Sequence, residues 1–192
     1  MRIFNKIGEL ILETESESLS DANLRNANLS NANFRGSDLR NADFSGSDLR
    51  NADLRNANLH GSDFRGANLH GSDFRGANLR NANFRGSDLR NADFSGSDLN
   101  GANFRGSDLR GVDFRGSDLR DADLIILQMD GWTAYITTNH IRIGCQSHTL
   151  IEWESFTDKE IANMHTTRAL DYWKNNKEVI ISLCKRFQNK GE

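Results

Sequence analysis

Four side chains in the last third of the chain have the identities of a metal site or a thiol catalyst: His140, Cys145, His148 and Cys184. Cys145 and His148 stand three residues apart, a spacing that suits zinc ligation, but the second half of such a site is poorly defined. The same pair would serve as nucleophile and general base, Cys145 attacking and His148 taking its proton. Against both stands a plainer reading, with the cysteines as small buried apolar residues and the histidines as capping or surface groups. The sequence favours the plainer reading. No cofactor and no enzymatic activity are expected, and a metal- or thiol-dependent enzyme centred on Cys145 and His148 is the alternative.

Other catalytic patterns fail on context. The glycines are evenly spaced turn residues, and neither GxxxxGK[ST] nor GxGxxG finds the strand-to-helix setting that a phosphate loop needs. An Arg follows most of the carboxylates, which argues against a calcium cage.

The elements that would position any site follow from one period. From Leu19 to Leu124 a Leu or Phe recurs at every fifth residue, giving twenty-two pentapeptides. Neither the 3.6-residue period of a helix nor the two-residue period of a strand is in control. From Leu24 onward, Ala or Ser stands two positions before each large residue, with Val112 the exception, and Asp or Asn lies between them. Arg usually follows the large residue, and then nearly always Gly or Asn, with Asp21 and Asp121 at the two ends of the array the exceptions. Gly and Asn tolerate positive φ, so a type II turn is expected once per pentapeptide.

A chain that bends through about a right angle every five residues closes a square coil every twenty. The predicted fold is an all-β solenoid, a right-handed quadrilateral β-helix of roughly five coils and about 25 Å in length at strand-like spacing. Sorting the central residues by coil puts Phe44, Phe64, Phe84 and Phe104 on one wall and Phe34, Phe74, Phe94 and Phe114 on the opposite one. The other two walls are all Leu, among them Leu49, Leu69, Leu89 and Leu109. Stacked rings facing leucine ladders would fill a narrow core. Residues 31–49 and 81–99 are identical, a shift of two and a half coils that reads as internal duplication.

This A-(D/N)-(L/F)-x-x pattern resembles the pentapeptide-repeat family over residues 19–124, which implies the quadrilateral β-helix. The family includes quinolone-resistance proteins and topoisomerase inhibitors that bind DNA gyrase by imitating duplex DNA. The resemblance therefore implies a protein partner, with gyrase or another DNA-processing enzyme the specific candidate, and a DNA-mimic regulator of gyrase as an alternative. Charge argues against close mimicry. Duplex DNA carries one negative charge per ~1.7 Å, or roughly fifteen over this length, whereas the array holds 14 Arg against 15 Asp.

The net charge of the whole chain is −3, and no segment has the positive excess that nucleic-acid or membrane-surface binding requires. Direct nucleic-acid binding and membrane association are not expected. Acidic and basic columns run side by side on each face, and Arg65, Arg85, Arg105, Asp63 and Asp113 are the candidate partner-binding residues. His60 and His70 occupy the arginine slot as solvated variants.

The expected organisation is a cap at 1–18, the coil at 19–124 and a tail at 125–192. Arg2–Lys6 and Glu9–Glu13 around Ile7-Gly8 suit a hairpin, with an amphipathic helix as runner-up. In the tail, Trp132–Ile136 and Ile141–Cys145 read as strands around Thr138-Asn139-His140. Thr157–Glu160 is a capping box, and Thr167–Gln188 is an amphipathic helix carrying Leu170, Trp173, Ile180, Leu183, Cys184 and Phe187. The stretch 141–156 is similar to tails of some bacterial and phage members of the family. Trp132, Trp153, Phe156, Trp173 and Phe187 are the candidate cap or homodimer residues. Two cysteines and no long apolar run point to a reducing, cytoplasmic setting.

Overall fold

The computed structural model describes residues 2–5, 7–13, 18–129, 132–137, 141–143, 146–165 and 167–188. His140, Cys145 and the Thr138-Asn139-His140 turn lie outside them, as do the side chains of Trp132 and Phe187. The chain forms two compact units, Met1–Asp123 and Leu124–Glu192.

In the first unit the backbone turns at every pentapeptide. The N–H three residues after each central Leu or Phe returns to its carbonyl, as from Ser47 to Phe44 at 3.0 Å and from Ala92 to Leu89 at 3.0 Å. The third turn residue has positive φ, +58° at Asn91 and +68° at Gly46, as a type II turn requires. Asp21 and Asp121, the exceptions to the Gly/Asn preference, take the same conformation at +58° and +55°. Aspartate reaches this region because its short polar side chain can bond locally.

The turns bring every twentieth residue into register. Parallel bridges run from Asn23↔Asp43 through Asp63↔Asn83 to Asp98↔Asp118. Around one bridge, Phe64 donates to Asn83 O at 2.7 Å, Gly66 to Arg85 O at 3.0 Å, and Asp63 to Ala42 O at 3.0 Å. A twenty-residue repeat bent every five residues has four sides, so the unit is a four-sided solenoid. Where Asn occupies one turn, Gly often occupies the turn one coil later, and Asn91 beneath Gly111 shows why. A Cβ on Gly111 would overlap Asn91 Oδ1, whereas Gly86 has no such neighbour.

The interior follows the two-wall pattern. Phe44, Phe64, Phe84 and Phe104 stack at 4.9, 5.0 and 5.1 Å with planes within 9° of parallel. Phe74 stacks on Phe94 at 4.6 Å, and the two walls meet edge to face, Phe84 against Phe94 at 5.5 Å. The rings from Phe44 to Phe114 thus have both stacked neighbours and T-shaped partners, while Phe34, with Leu54 next in its column, meets Phe44 edge to face. Leu49, Leu69 and Leu89 are fully buried, and Leu109 nearly so. Phe114 departs from the expected full burial and is only partly covered, because no further pentapeptide of its unit stacks above it. Serines replace alanine inside by bonding the backbone: Ser87 Oγ donates to Phe84 O at 2.6 Å, and Ser72 Oγ to Leu49 O at 2.7 Å.

The N-terminus forms the hairpin rather than the helix. Strand β1 (Arg2–Phe4) pairs antiparallel with β2 (Leu10–Glu13). Asn5 Oδ1 accepts the Ile7 and Glu9 N–H groups at 3.1 and 2.8 Å and so shapes the bend. Asn5 bridges antiparallel to Ala32, Asn33 donates to Phe4 O at 2.8 Å, and Ile3 is buried. The hairpin thereby satisfies backbone that an open coil would leave unpaired.

The second unit contains a four-stranded antiparallel sheet, β3 (Ile125–Met129), β4 (Trp132–Ile136), β5 (Ile141–Ile143) and β6 (Gln146–His148), in sequential order. Helices α1 (Leu150–Ser155), α2 (Asp158–His165) and α3 (Thr167–Gln188) follow. The sheet has four strands where the sequence reading has two. Ile125–Met129 supplies an additional apolar strand, and the short polar Gln146–His148 completes the other edge. None of the described helices is long and apolar enough to cross a membrane.

Candidate functional site

The outward side chains of the coil are set by the turn itself. In each pentapeptide the Asp or Asn before the central residue turns its Oδ1 back to the N–H two positions on, as Asp63 does to Arg65 at 3.0 Å and Asn83 to Arg85 at 3.1 Å. This local Asx bond fixes the carboxylate or amide against the backbone. Where the residue is Asp, the following Arg folds over it. Arg65 reaches Asp63 through Nε at 2.7 Å and a terminal nitrogen at 2.6 Å, and Arg115 reaches Asp113 at 2.8 and 2.6 Å. Such fork-to-fork pairs are the stronger type of charge-assisted bond. They lie at the surface, so each contributes little to stability, but each neutralises its own carboxylate.

Pairing also reaches between coils. Asp43 is followed by Ser45, whose hydroxyl donates to it at 2.6 Å, and Arg25 supplies the charge from the preceding coil at 3.2 Å. Arg80 follows Asn78 and finds Asp98 at 3.4 Å. The candidate partner-binding residues therefore divide. Arg65, Asp63 and Asp113 are held in ion pairs, while Arg85 and Arg105 follow Asn83 and Asn103 and make no ion pair among the described residues.

These bonds shift the carboxyl groups. Asp38, Asp48, Asp88 and Asp113 all lie below the ordinary aspartate value, first because of the side-chain bond from the Arg two residues on. Asp118 is lowered to about 2 by the same bond from Arg120. A folded pKa below the unfolded one contributes stability that is present above the unfolded value and lost as pH falls through the folded value. Because the pairs are exposed, the effect on the coil is modest: its urea-unfolding midpoint, read by circular dichroism, should be level above about pH 4. It should then fall gradually, without loss of the β signal in the absence of urea, between there and about pH 2.

The tail residues with chemical potential are otherwise engaged. His148 sits edge-on to Trp153 and Phe156 at 5.5 and 4.9 Å, with Nε2 3.3 Å from Gln146 Oε1 and Nδ1 4.0 Å from Glu152. Cys184 is buried, and that burial, with Glu154 nearby, pushes its thiol up to about 11, which makes it a poor nucleophile at neutral pH. Among the described residues no three His, Cys, Asp or Glu side chains converge as metal ligands.

Trp153 and Trp173, candidate cap or homodimer residues, lie in the interior of the tail. Both are 3% exposed and pack together at 5.0 Å inside their own unit, with Ile136, Ile143, Leu150 and Ile180. Trp153 Nε1 donates to Ile141 O at 2.8 Å, and Phe156 packs against the same core. These aromatics build the tail instead of presenting a surface. Among the described residues, the large apolar side chains that the tail exposes are Ile151 and Val179.

A family model described as a pentapeptide repeat region matches residues 17–94, and one described as pentapeptide repeats (8 copies) matches residues 87–124. No curated protein matches the chain. Among solved structures it is similar to alr5209, a pentapeptide repeat protein from Nostoc PCC 7120, at 35% identity over 50% of this chain and 83% of that one, with a TM-score of 0.43. It is also similar to a pentapeptide repeat protein of the Arabidopsis thaliana thylakoid lumen, at 27% identity over 58% and 68% of the two chains, with a TM-score of 0.33. Full-length QnrB1, a plasmid-mediated fluoroquinolone resistance protein, is 28% identical over 57% and 63%, with a TM-score of 0.25.

Proposed function

Because the chain belongs to the pentapeptide-repeat family through residues 17–124, we propose that it is a non-enzymatic interaction protein whose coil presents an outer face to a protein partner. One observation carries this reading: the outward Asp, Asn and Arg side chains are fixed by Asx bonds and ion pairs before any partner arrives, as in Asp63–Arg65 and Asp113–Arg115. A surface ordered in advance loses little side-chain entropy on binding. The interior is filled by Phe, Leu and Ala and leaves the outer faces as the working surface.

A DNA-processing enzyme is the partner class we put forward, with DNA gyrase as the specific case. The ion pairs set how it would be bound. A coil whose aspartates carry their own arginines does not present the linear negative charge of a duplex, so shape and local polar contacts would carry the recognition. A supercoiling assay of gyrase with titrated protein tests the specific case. Inhibition or protection that changes little between low and moderate salt supports it. An effect that vanishes steeply with salt favours electrostatic DNA mimicry instead, and an assay indistinguishable from buffer removes gyrase as the partner.

A further inference from the structure

Arg85 and Arg105 break the neutrality of the coil together. Both follow an asparagine, whose Oδ1 is engaged by the arginine's own N–H at 3.1 and 2.9 Å, and neither has a carboxylate partner among the described residues. They occupy the same column on neighbouring coils. Asn83 bridges Asn103 in parallel, Gly86 donates to Arg105 O at 3.0 Å, and the rings beneath, Phe84 and Phe104, are 5.1 Å apart. Arg35 is a third arginine with no ion pair among the described residues, and the copy of Arg85 in the fifty-residue duplication. It stands alone, because the next arginine in its column, Arg55, is paired with Asp53 and reaches Asp73.

We infer that Arg85 and Arg105 form a docking site for two neighbouring carboxylates on a protein partner. This deepens the interaction reading above and rests on it. Two like charges held one coil apart by the backbone repel each other, and a pair of carboxylates relieves that repulsion while accepting guanidinium bonds. The surroundings decide against a nucleic-acid strand. A continuous phosphate backbone would run from this patch onto Asp63 or Asp123 in the same column, or onto Asp88 and Asp108 on the adjoining face, whereas a pair of carboxylates one coil apart spans only the two arginines. Arg85 is exposed and Arg105 partly so, leaving room for such a group.

The probe is a blocked Glu-Ala-Glu tripeptide, whose two carboxylates fall on one side of an extended chain. It is titrated into the full-length protein at low salt while the arginine Nε–Hε resonances are followed by NMR. Arg85 and Arg105 should move along one saturable curve, with Arg65 unmoved and Arg35 responding only weakly. R105Q should weaken the response of Arg85 about tenfold, toward that of Arg35. Equal responses at Arg35 and Arg85, no effect of R105Q, or movement of both arginines by a short DNA duplex at lower concentration than by the peptide would each overturn the assignment. The titration contains no partner protein, so its failure removes this patch alone, whereas a failed supercoiling assay bears on the choice of gyrase.

Discussion

Phe84→Ala should destabilise the coil by about 3–5 kcal/mol, the range for truncating a fully buried phenyl ring, and Phe84→Leu by under about 1.5 kcal/mol. Phe84 is fully buried, stacked between Phe64 at 5.0 Å and Phe104 at 5.1 Å, and edge-on to Phe74 and Phe94 at 6.0 and 5.5 Å. Alanine removes four ring contacts at once and leaves a cavity that the neighbouring coils, pinned by their ladders, cannot close. Leucine already occupies the two phenyl walls at Leu24 and Leu54, so the backbone accepts it there. Urea denaturation followed by far-ultraviolet circular dichroism would measure both variants, and similar losses for Ala and Leu would mean that the rings do not bear on each other as described.

Leu69→Asp should have a still larger effect, above about 4 kcal/mol, the signature of an unpaired charge buried in a core. Leu69 is fully buried on a leucine wall, and its N–H and C=O are already committed to the turn and the ladder. Nothing there can pair with a carboxylate. Because each coil meets only its neighbours, the loss should depend on position. In the middle of the array the substitution disrupts a coil on which the stacks on both sides depend, whereas Leu29→Asp, near the start, should fray only the first coils. Hydrogen exchange reads the difference directly: protection falls throughout the coil for the first variant and stays high beyond about residue 60 for the second. Equal loss in the two would contradict nearest-neighbour stacking.

The coil was legible from residues because its information is local and repeated. Five-residue spacing of Leu and Phe announces the turn, Gly and Asn locate the positive φ, and sorting by twenty places Phe84 over Phe64. What stayed hidden depends on contacts that sequence distance does not suggest. The Arg25–Asp43 and Arg80–Asp98 pairs span eighteen residues, so counting adjacent Asp and Arg could not reveal that Arg85 and Arg105 would be left over. The signal was present in Asn83 and Asn103, which put a neutral amide where most arginines meet a carboxylate.

The tail was harder because nothing in it repeats. The capping box at Thr157 is closed by its N–H donating to the Glu160 carboxylate at 2.8 Å, and α3 spans 167–188, where the apolar spacing places a helix. Helix α1 carries an equivalent signature, Thr149 with Glu152, that was there to be read. It is six residues long, too short for a 3.6-residue period to declare itself. Trp153 and Trp173 look like interface aromatics in a sequence because a large apolar side chain gives no sign of which surface it will cover. Only the sheet beneath them, with Ile136 and Ile143, shows that they close their own core.

All of this, the neutral faces and the arginine pair included, requires that residue n lie directly below residue n+20. Cysteine cross-linking tests that register most directly. In a protein with Cys145 and Cys184 changed to Ser, the pair Arg65→Cys and Arg85→Cys places thiols on adjacent coils of one face, where the strand-like spacing of about 4.8 Å falls inside disulfide range. Rapid and complete oxidation of that pair is expected, together with none for Arg65→Cys with Arg75→Cys, which sit on opposite faces. Oxidation of the ten-residue pair in preference to the twenty-residue pair would contradict the four-sided coil and everything built on it.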